Sequence, residues 1–530
     1  MSFKKVFLII LDGFGLDLSG PGNAVTTAEM KYLNSLTAGY PSYSVVSSGL
    51  IVGLPWGKYG NSEVGHSAIG SGRIIVQDWA RINQNIASGQ FFKHPFFKAA
   101  VEHCLKNRSK LHLIGCVSPG GIHSHEDHLF ALLRFAAAEN FKEIFVHMIT
   151  DGQDSGPRDG IISLAKVKNV IADTGGRIAS VIGRVYGMDR LLNWPLTEKA
   201  WCAMVDGEGS PVTDPEDYFR QNYAKNISDH EIEPAVIVDT KNDAVRPVAT
   251  IGSNDALVFF NFRNDRMKQI VSSFVSPDFS GFKRKNVPQN LFVATMTRYS
   301  DDFNVSVAYE PLETPNILGE VISKQDWKQY RIAEKEKEAH VSNFFNGGKI
   351  GPYEGEERVI VESRKMTGSN YMEHPEMSAA GIVREVLARA EEDKKLFVIN
   401  FANADIIAHT GDTEATVKGL KILDDSIRQI VETIVKDPDN AVVITADHGN
   451  AEELIDPMTG GEDTQHSTHP VPVVFVAQRF LGANGSGKSL ESLATEKPIG
   501  TLLDIAPSVL DLFGLEKPKE MTGSTLVPGI

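Results

Sequence analysis

Cysteine is scarce in this sequence: Cys104, Cys116 and Cys202 are the only three, and no two form a CxxC pair. That excludes a disulfide framework and a cysteine-ligated zinc site, and it fits a reducing cytoplasmic setting. Long apolar runs are lacking as well, and none approaches the length that spans a bilayer. The opening MSFKKVFLIILDGFG has the lysines and apolar run of a signal peptide. The run stops when Asp12 follows Leu11, however, and no small-residue cleavage site comes after it, so a buried first strand is expected. Excess positive charge is missing too. A formal net charge of −15 disfavours nucleic acid or an anionic membrane as partner, while a small anionic substrate is allowed wherever basic residues converge. Short repeats and low-complexity tracts are also lacking.

What is present is an ordinary globular balance, 42% apolar and 23% charged, in a chain of 530 residues, long enough for two domains. Several short runs rich in Val, Ile and Phe end abruptly in polar residues. VFLIIL runs into Asp12, LFVINFAN into Asp405, and AVVITA into Asp447 and His448, with PVPVVFVA (470–477) a further run of this kind. Such runs suit strands buried on both faces, as in a parallel sheet. Helical patterns lie between them, in SAAGIVREVLARAEEDKK and ATVKGLKILDDSIRQIVETIVK, so an α/β fold is expected, with ligands beyond the carboxyl ends of the strands.

The middle of the chain repeats the pattern with mostly basic endings. LHLIGCVS leads to His123, EIFVHMIT to Asp151 and Asp154, RIASVIG to Arg184, and ALVFFNF to Arg263. Asp12 and Ser62 precede this region, whereas the remaining acidic and histidine candidates follow it. One α/β domain interrupted by a second accounts for the order. Crossings near Arg73–Asn83 and in YEPLETPN (309–316) give an outer domain of 1–76 with 315–530 and an inserted domain of 77–314.

Asp405 and His409 stand four apart in NADIIAHTG, so one helical turn places both on a single face. Asp447 and His448 are adjacent at a strand end, and His466 precedes the next strand in QHSTHPVP. Alone, each is commoner as a turn former or an ordinary histidine. Four such clusters at successive strand ends point instead to divalent metal ions held by carboxylate and imidazole. Ser62, in LPWGKYGNSEVGHSAIGSG, begins a helical pattern after glycines. It is expected either as a plain N-cap or as a nucleophile at a helix start that welcomes phosphate and whose hydroxyl nearby cations acidify.

LDGFG, GNSEVGH, GGIHSH, FFNFRNDR, RIAEKEKEAHVSNFFNGG, HPEMSA, NFANADIIAHTG, TADHGNAE and the late DIAPSVLDLFGLEKPKEMTGSTL follow one another along the chain. In content and order they resemble the cofactor-independent phosphoglycerate mutases of the alkaline phosphatase superfamily. The resemblance implies an alkaline-phosphatase-like three-layer domain with a mainly parallel sheet and an inserted α/β substrate domain. It implies one metal on Asp405, His409 and His466, and another on Asp12, Ser62, Asp447 and His448. Manganese is the metal it suggests, while the donor set also admits magnesium, cobalt or zinc. Lys337 would sit beside a phosphorylated Ser62, and His123, Asp154, Arg184, Arg190, Arg263 and Arg266 would grip phosphoglycerate. Arginine's planar fork suits carboxylate and phosphate, although surface ion pairing is its commoner fate. The implied reaction interconverts 3- and 2-phosphoglycerate without 2,3-bisphosphoglycerate, in glycolysis and gluconeogenesis. Asp154 would exchange protons with the glycerate, domain closure would exclude water, and the enzyme would be a cytoplasmic monomer.

The chain departs from the family pattern in its substrate-gripping half. Pro119 stands where an acidic residue is usual, Gln153 replaces an arginine, and Leu191, Leu192 and Asn193 follow MDR before Trp194. His469 occupies a usual asparagine position, and ESRKMTGSNYMEH replaces a proline-lysine segment. A glutamine supplies neither charge nor a bidentate fork, and Arg158 is the residue placed to compensate. These changes keep open a phosphatase acting on a related phosphorylated small molecule. A non-enzymatic descendant is disfavoured, because it would have no need of seven metal-ligand candidates.

Overall fold

In the computed structural model the apolar runs become the central strands of two separate sheets. The structure describes the chain except residues 1, 19, 55–56, 242–243, 350, 364–369 and 530. Part of the ESRKMTGSNYMEH segment therefore lies outside the described residues. The chain divides into two compact units, Met1–Val76 with Glu313–Ile530, and Gln77–Leu312. Both are α/β with mainly parallel sheets. Among the described residues, no helix is long and apolar enough to cross a membrane.

The first unit carries an eight-stranded sheet. Its spatial order is Glu356–Val361, Gln329–Glu334, Leu396–Phe401, Lys5–Leu11, Asn440–Thr445, Val471–Val476, Ser42–Val46 and Gly500–Thr501. Lys5–Leu11 is buried along its whole length, which explains its unbroken apolar run. It pairs in parallel with Leu396–Phe401 on one side and Asn440–Thr445 on the other. Helix Thr413–Ile434 covers the sheet with Leu420, Leu423, Ile427, Ile430, Val431 and Ile434, a helical stripe, and Asp412 caps its start by accepting from Ala415 N at 2.8 Å.

Val471–Val476 breaks the parallel pattern, running antiparallel to Asn440–Thr445 and to Ser42–Val46. Its composition is that of a doubly buried strand of either direction, so the apolar run alone does not reveal the reversal. The direction matters for the site. The start of an antiparallel strand lies at the edge where its parallel neighbours end, and His466 is thereby delivered to the edge that bears Asp12, Asp447 and His448.

The second unit's sheet runs Ser306–Tyr309, Phe292–Thr297, Ala256–Phe259, Leu111–Cys116, Ile144–Thr150, Arg177–Gly183, Ala235–Lys241 and Ser210–Val212, with Ala244–Pro247 beside Ala235–Lys241. Alternate residues feed separate cores on its two faces, Leu113 and Val146 on one, Ile114 and Ile149 on the other.

A polar chain crosses three adjacent strands of this apolar sheet and ends on Asp255, just before the strand Ala256–Phe259. Ser180 Oγ lies 2.8 Å from His147 Nδ1, His147 Nε2 lies 2.9 Å from His112 Nδ1, and His112 Nε2 lies 3.2 Å from Asp255 Oδ2. All four residues are buried. A carboxylate can only accept, so each neutral imidazole donates toward Asp255 and accepts from the Ser180 side. Protonating His112 would set its Nδ1–H against the His147 Nε2–H, two donors facing each other, whereas at His147 the Ser180 hydroxyl can turn to accept. Burial accordingly pushes both histidines below their ordinary range, with the Asp255 carboxylate opposing the shift at His112 and the His112 ring adding to it at His147. The unfolded chain then takes up protons near pH 6.5 that the fold refuses, so stability is intact above that pH and falls as the pH drops, by up to about 1.4 kcal/mol per pH unit per histidine. Thermal melts between pH 8 and 4.5 are expected to show this decline. Asparagine at both 112 and 147 should flatten it, and an unchanged slope would remove the relay as its cause.

Candidate active site

Three adjacent parallel strands of the first unit lead into reactive side chains. Asp12 follows Lys5–Leu11, Asp447 and His448 follow Asn440–Thr445, and Asp405 lies in helix Asn403–Ala408, directly after Leu396–Phe401. Ser62 is the first residue of helix Ser62–Ser71, but the cap is Asn61, whose side chain accepts from Val64 N at 2.8 Å. The N-cap expectation for Ser62 is therefore corrected by one residue. Its hydroxyl, relieved of capping, points into the cluster. Ser62 Oγ donates to Asp12 Oδ1 at 3.0 Å, lies 2.9 Å from His448 Nε2, and accepts from Lys337 Nζ at 3.0 Å.

Lys337 Nζ also contacts Asp12 Oδ1 at 2.6 Å and Asp405 Oδ2 at 2.7 Å. Burial opposes its charge, yet the two carboxylates outweigh that and hold the ammonium protonated. Reciprocally, burial would raise Asp12 and Asp405, and Lys337 holds both well below the usual carboxylate range. For His448, burial again opposes charge, and the Asp447 carboxylate leads a net rise to about 10.

The imidazoles show what the cluster suits. His409 Nδ1 lies 2.7 Å from Thr464 O, and His466 Nδ1 lies 2.8 Å from Gly60 O. Each Nδ1 must donate to its carbonyl, so in the neutral rings each Nε2 carries a lone pair. These two Nε2 atoms face each other at 3.1 Å, and each stands 3.2 Å from Asp405 Oδ1. Three acceptor atoms in so small a triangle repel unless a cation joins them. The spacing matches ligands on one ion at about 2.0–2.2 Å, with a carbonyl orienting each histidine from behind. On the other side, Asp447 Oδ2 is buried and lies 3.0 Å from His66 Nδ1. The donor set fits divalent ions. Ligand atoms also group as Asp405, His448 and His466, and as Asp12, His66 and Asp447, a partition that moves His448 to the Asp405 side and sets His66 beside Asp12 and Asp447.

The second unit gathers the remaining candidates. Arg184 Nη1 bonds to Asp154 Oδ2 at 2.6 Å and also to Asp151, which accepts from Ser118 Oγ at 2.5 Å. His123 lies 3.8 Å from Asp154 Oδ2 and 3.4 Å from Asp265 Oδ1. Arg190 and Arg263 reach Asp265 at 2.6 and 3.3 Å, and Arg266 Nη1 reaches Met188 O at 3.5 Å. Burial pushes His123 down to about 3, with Asp265 opposing and three guanidinium groups assisting. Arg158 does not fill in for Gln153: its Nη2 bonds Asn226 Oδ1 at 2.7 Å and the group lies over the Tyr223 ring. Leu191 and Leu192 are exposed, and Leu192 has a left-handed φ of 59°.

Sequence reasoning overlooked several partners. Asn450 Nδ2 donates to Asp405 Oδ1 at 3.0 Å, and Asn400 Nδ2 to Asp12 Oδ2 at 2.8 Å. Asp265 was hidden between the two arginines of FRNDR. His66 had a signal, since it stands one helical turn after Ser62.

Fold and cluster together define the class: an α/β enzyme with a serine set among two candidate groups of divalent-metal ligands. The family model for the BPG-independent PGAM N-terminus (iPGM_N) matches residues 82–301. Across 99% of this chain and all of the relative, the sequence is 41% identical to the 2,3-bisphosphoglycerate-independent phosphoglycerate mutase of Acetivibrio thermocellus. The chain belongs to the 2,3-bisphosphoglycerate-independent phosphoglycerate mutase family. The mutase of Clostridium beijerinckii is 42% identical over 99% of both chains. Among solved structures, the Leishmania mexicana phosphoglycerate mutase, determined at low cobalt concentration, aligns with a TM-score of 0.77 and 26% identity, covering 100% of this chain and 98% of that one.

Proposed function

We propose that this chain interconverts 3-phosphoglycerate and 2-phosphoglycerate through a phosphoserine at Ser62, with no 2,3-bisphosphoglycerate. The observation that carries the reading is the Ser62 hydroxyl at an Asn61-capped helix start, between an ionised carboxylate and a buried ammonium. Asp405, His409 and His466 would hold one divalent ion, and Asp12, Ser62, Asp447 and His448 the other. Manganese is the metal this reading favours, and carboxylate with imidazole also accommodates magnesium, cobalt or zinc. Bound there, the ions supply charge neutralisation and a more acidic serine hydroxyl.

The chain's own groups do the rest. Asp12 Oδ1 receives the Ser62 hydrogen bond, orienting Oγ for attack on phosphorus. The Oγ–P bond forms as the bond from phosphorus to the glycerate oxygen breaks, and the helix N–H groups favour the transferred anion. Lys337 lies beside Oγ to balance the phosphoserine's charge. Arg184, Arg190, Arg263 and Arg266 suit the carboxylate and phosphate of the substrate. Asp154, next to His123, gives a proton to the departing glycerate oxygen and takes one from the other hydroxyl, so that this second oxygen can attack the phosphoserine and restore Ser62. The same reading makes the chain a cytoplasmic monomer whose partner is a small phosphoglycerate.

Gln153 favours one second reading, a phosphatase, because the place of a guanidinium is taken by an uncharged amide. Phosphorus NMR of the protein with 3-phosphoglycerate and manganese, without 2,3-bisphosphoglycerate, separates the two. The expected product is 2-phosphoglycerate with little free phosphate. Free phosphate with glycerate would make the chain a hydrolase, and neither product would overturn both readings.

A further inference from the structure

The buried pair His66 and Asn400 lies behind the Ser62 side of the cluster, and the reaction as described uses neither. Both side chains are inaccessible to solvent. Asn400 Nδ2 stands 2.8 Å from Asp12 Oδ2 and 3.0 Å from His66 Nε2. A carboxylate only accepts, so the nitrogen of the Asn400 amide, and not its oxygen, must face Asp12. The other hydrogen of that nitrogen then points at His66 Nε2, which must offer a lone pair. The ring proton is left on Nδ1, which lies 2.9 Å from Ser62 O and 3.0 Å from Asp447 Oδ2. Both nitrogens of His66 are thus engaged, and ligation by either would break one of these contacts. The other oxygens of the two carboxylates face elsewhere: Asp12 Oδ1 toward Ser62 and Lys337, Asp447 Oδ1 toward Gly13 N and His448 N.

We infer that Asn400 and His66 are positioning residues, a neutral relay from Asp12 to Asp447 that sets the spacing of the two carboxylates and so the cation affinity of the Ser62-side site. This deepens the two-ion reading above and rests on it. The relay also touches the Ser62 carbonyl, tying the nucleophile's backbone to the same frame. Outer-shell partners of this kind typically alter metal affinity about 10–100-fold.

The test is Mn2+ titration of the whole chain by calorimetry and electron paramagnetic resonance, on the parent, Asn400→Leu, His66→Phe and His66→Asn. Leucine matches asparagine in shape without its hydrogens, phenylalanine keeps the ring without nitrogens, and asparagine at 66 restores a donor near Nδ1. Two sites are expected in the parent. Asn400→Leu and His66→Phe should weaken one of them about 10–100-fold and spare the other, with kcat reduced more than KM, and His66→Asn should recover part of the loss. Folded variants with both affinities unchanged would overturn the relay, and equal loss at both sites with a lowered melting temperature would reduce it to packing. A parent that binds one ion or none would defeat the two-ion reading itself, and the relay with it.

Discussion

Replacing Ser62 with alanine is expected to abolish mutase turnover, lowering kcat by at least about 10^4-fold, while the protein folds and melts as the parent does. The structure separates these two effects. Asn61, not Ser62, caps the helix, so alanine at the first helical position removes no capping bond and suits the helix well. The methyl group leaves Asp12 Oδ1 with its bond from Lys337 Nζ at 2.6 Å. Asp405, His409 and His466 do not touch Ser62 in any contact described, so their ion-binding site should persist. Activity is followed by phosphorus NMR, folding by circular dichroism. A Ser62→Ala chain that still converts phosphoglycerate at more than a few per cent of the parent rate would refute a serine-linked intermediate.

Lys337→Met should have the second-largest effect, and it should appear in stability as well as rate. Lys337 is 3% exposed, and its ammonium touches two buried carboxylates. Methionine fills the space but leaves Asp12 and Asp405 facing each other without their lysine. Breaking a buried ion pair from one side costs about 3–5 kcal/mol. A clear fall in melting temperature is therefore expected in a chelator. Binding of Mn2+ to the folded state should restore much of it, by about 4 kcal/mol at a thousandfold excess over Kd. Catalysis would stay impaired, by about 10^2–10^3-fold in kcat, because a preorganised positive charge beside the reacting oxygen is missing. Equal melting temperatures of parent and variant in chelator would show that Lys337 contributes no net stability.

The α/β class was legible because the sheets are buried on both faces, and Lys5–Leu11, Leu396–Phe401 and Asn440–Thr445 consequently read as unbroken apolar runs. The residues at their ends were legible for the same reason: a run that stops at Asp12 or Asp447 marks a sheet edge. The Asp405–His409 spacing worked because a single helical turn separates the two. What escaped the sequence lacks periodicity. Strand direction leaves no mark in Val471–Val476, since an apolar residue buried on both faces suits either pairing. Asn400 is one polar residue within a buried strand, and its purpose emerges only beside Asp12 and His66. The difference between Asn61 and Ser62 as cap is a shift of one residue between two good capping types, which only backbone geometry resolves.

The placement of Lys5–Leu11 at the centre of its sheet has a consequence for how the protein is made. Val6 lies between Leu396 and Ala441, so this strand must wait for strands made after residues 77–312 before it gains either neighbour. Residues 77–312, by contrast, form an uninterrupted stretch and can fold as they emerge. Pairings so distant in sequence close slowly, and during that delay VFLIIL is an exposed apolar segment with free edges. Synthesis rate and chaperone supply, more than the equilibrium stability of the finished sheet, are therefore what should limit the yield of active enzyme.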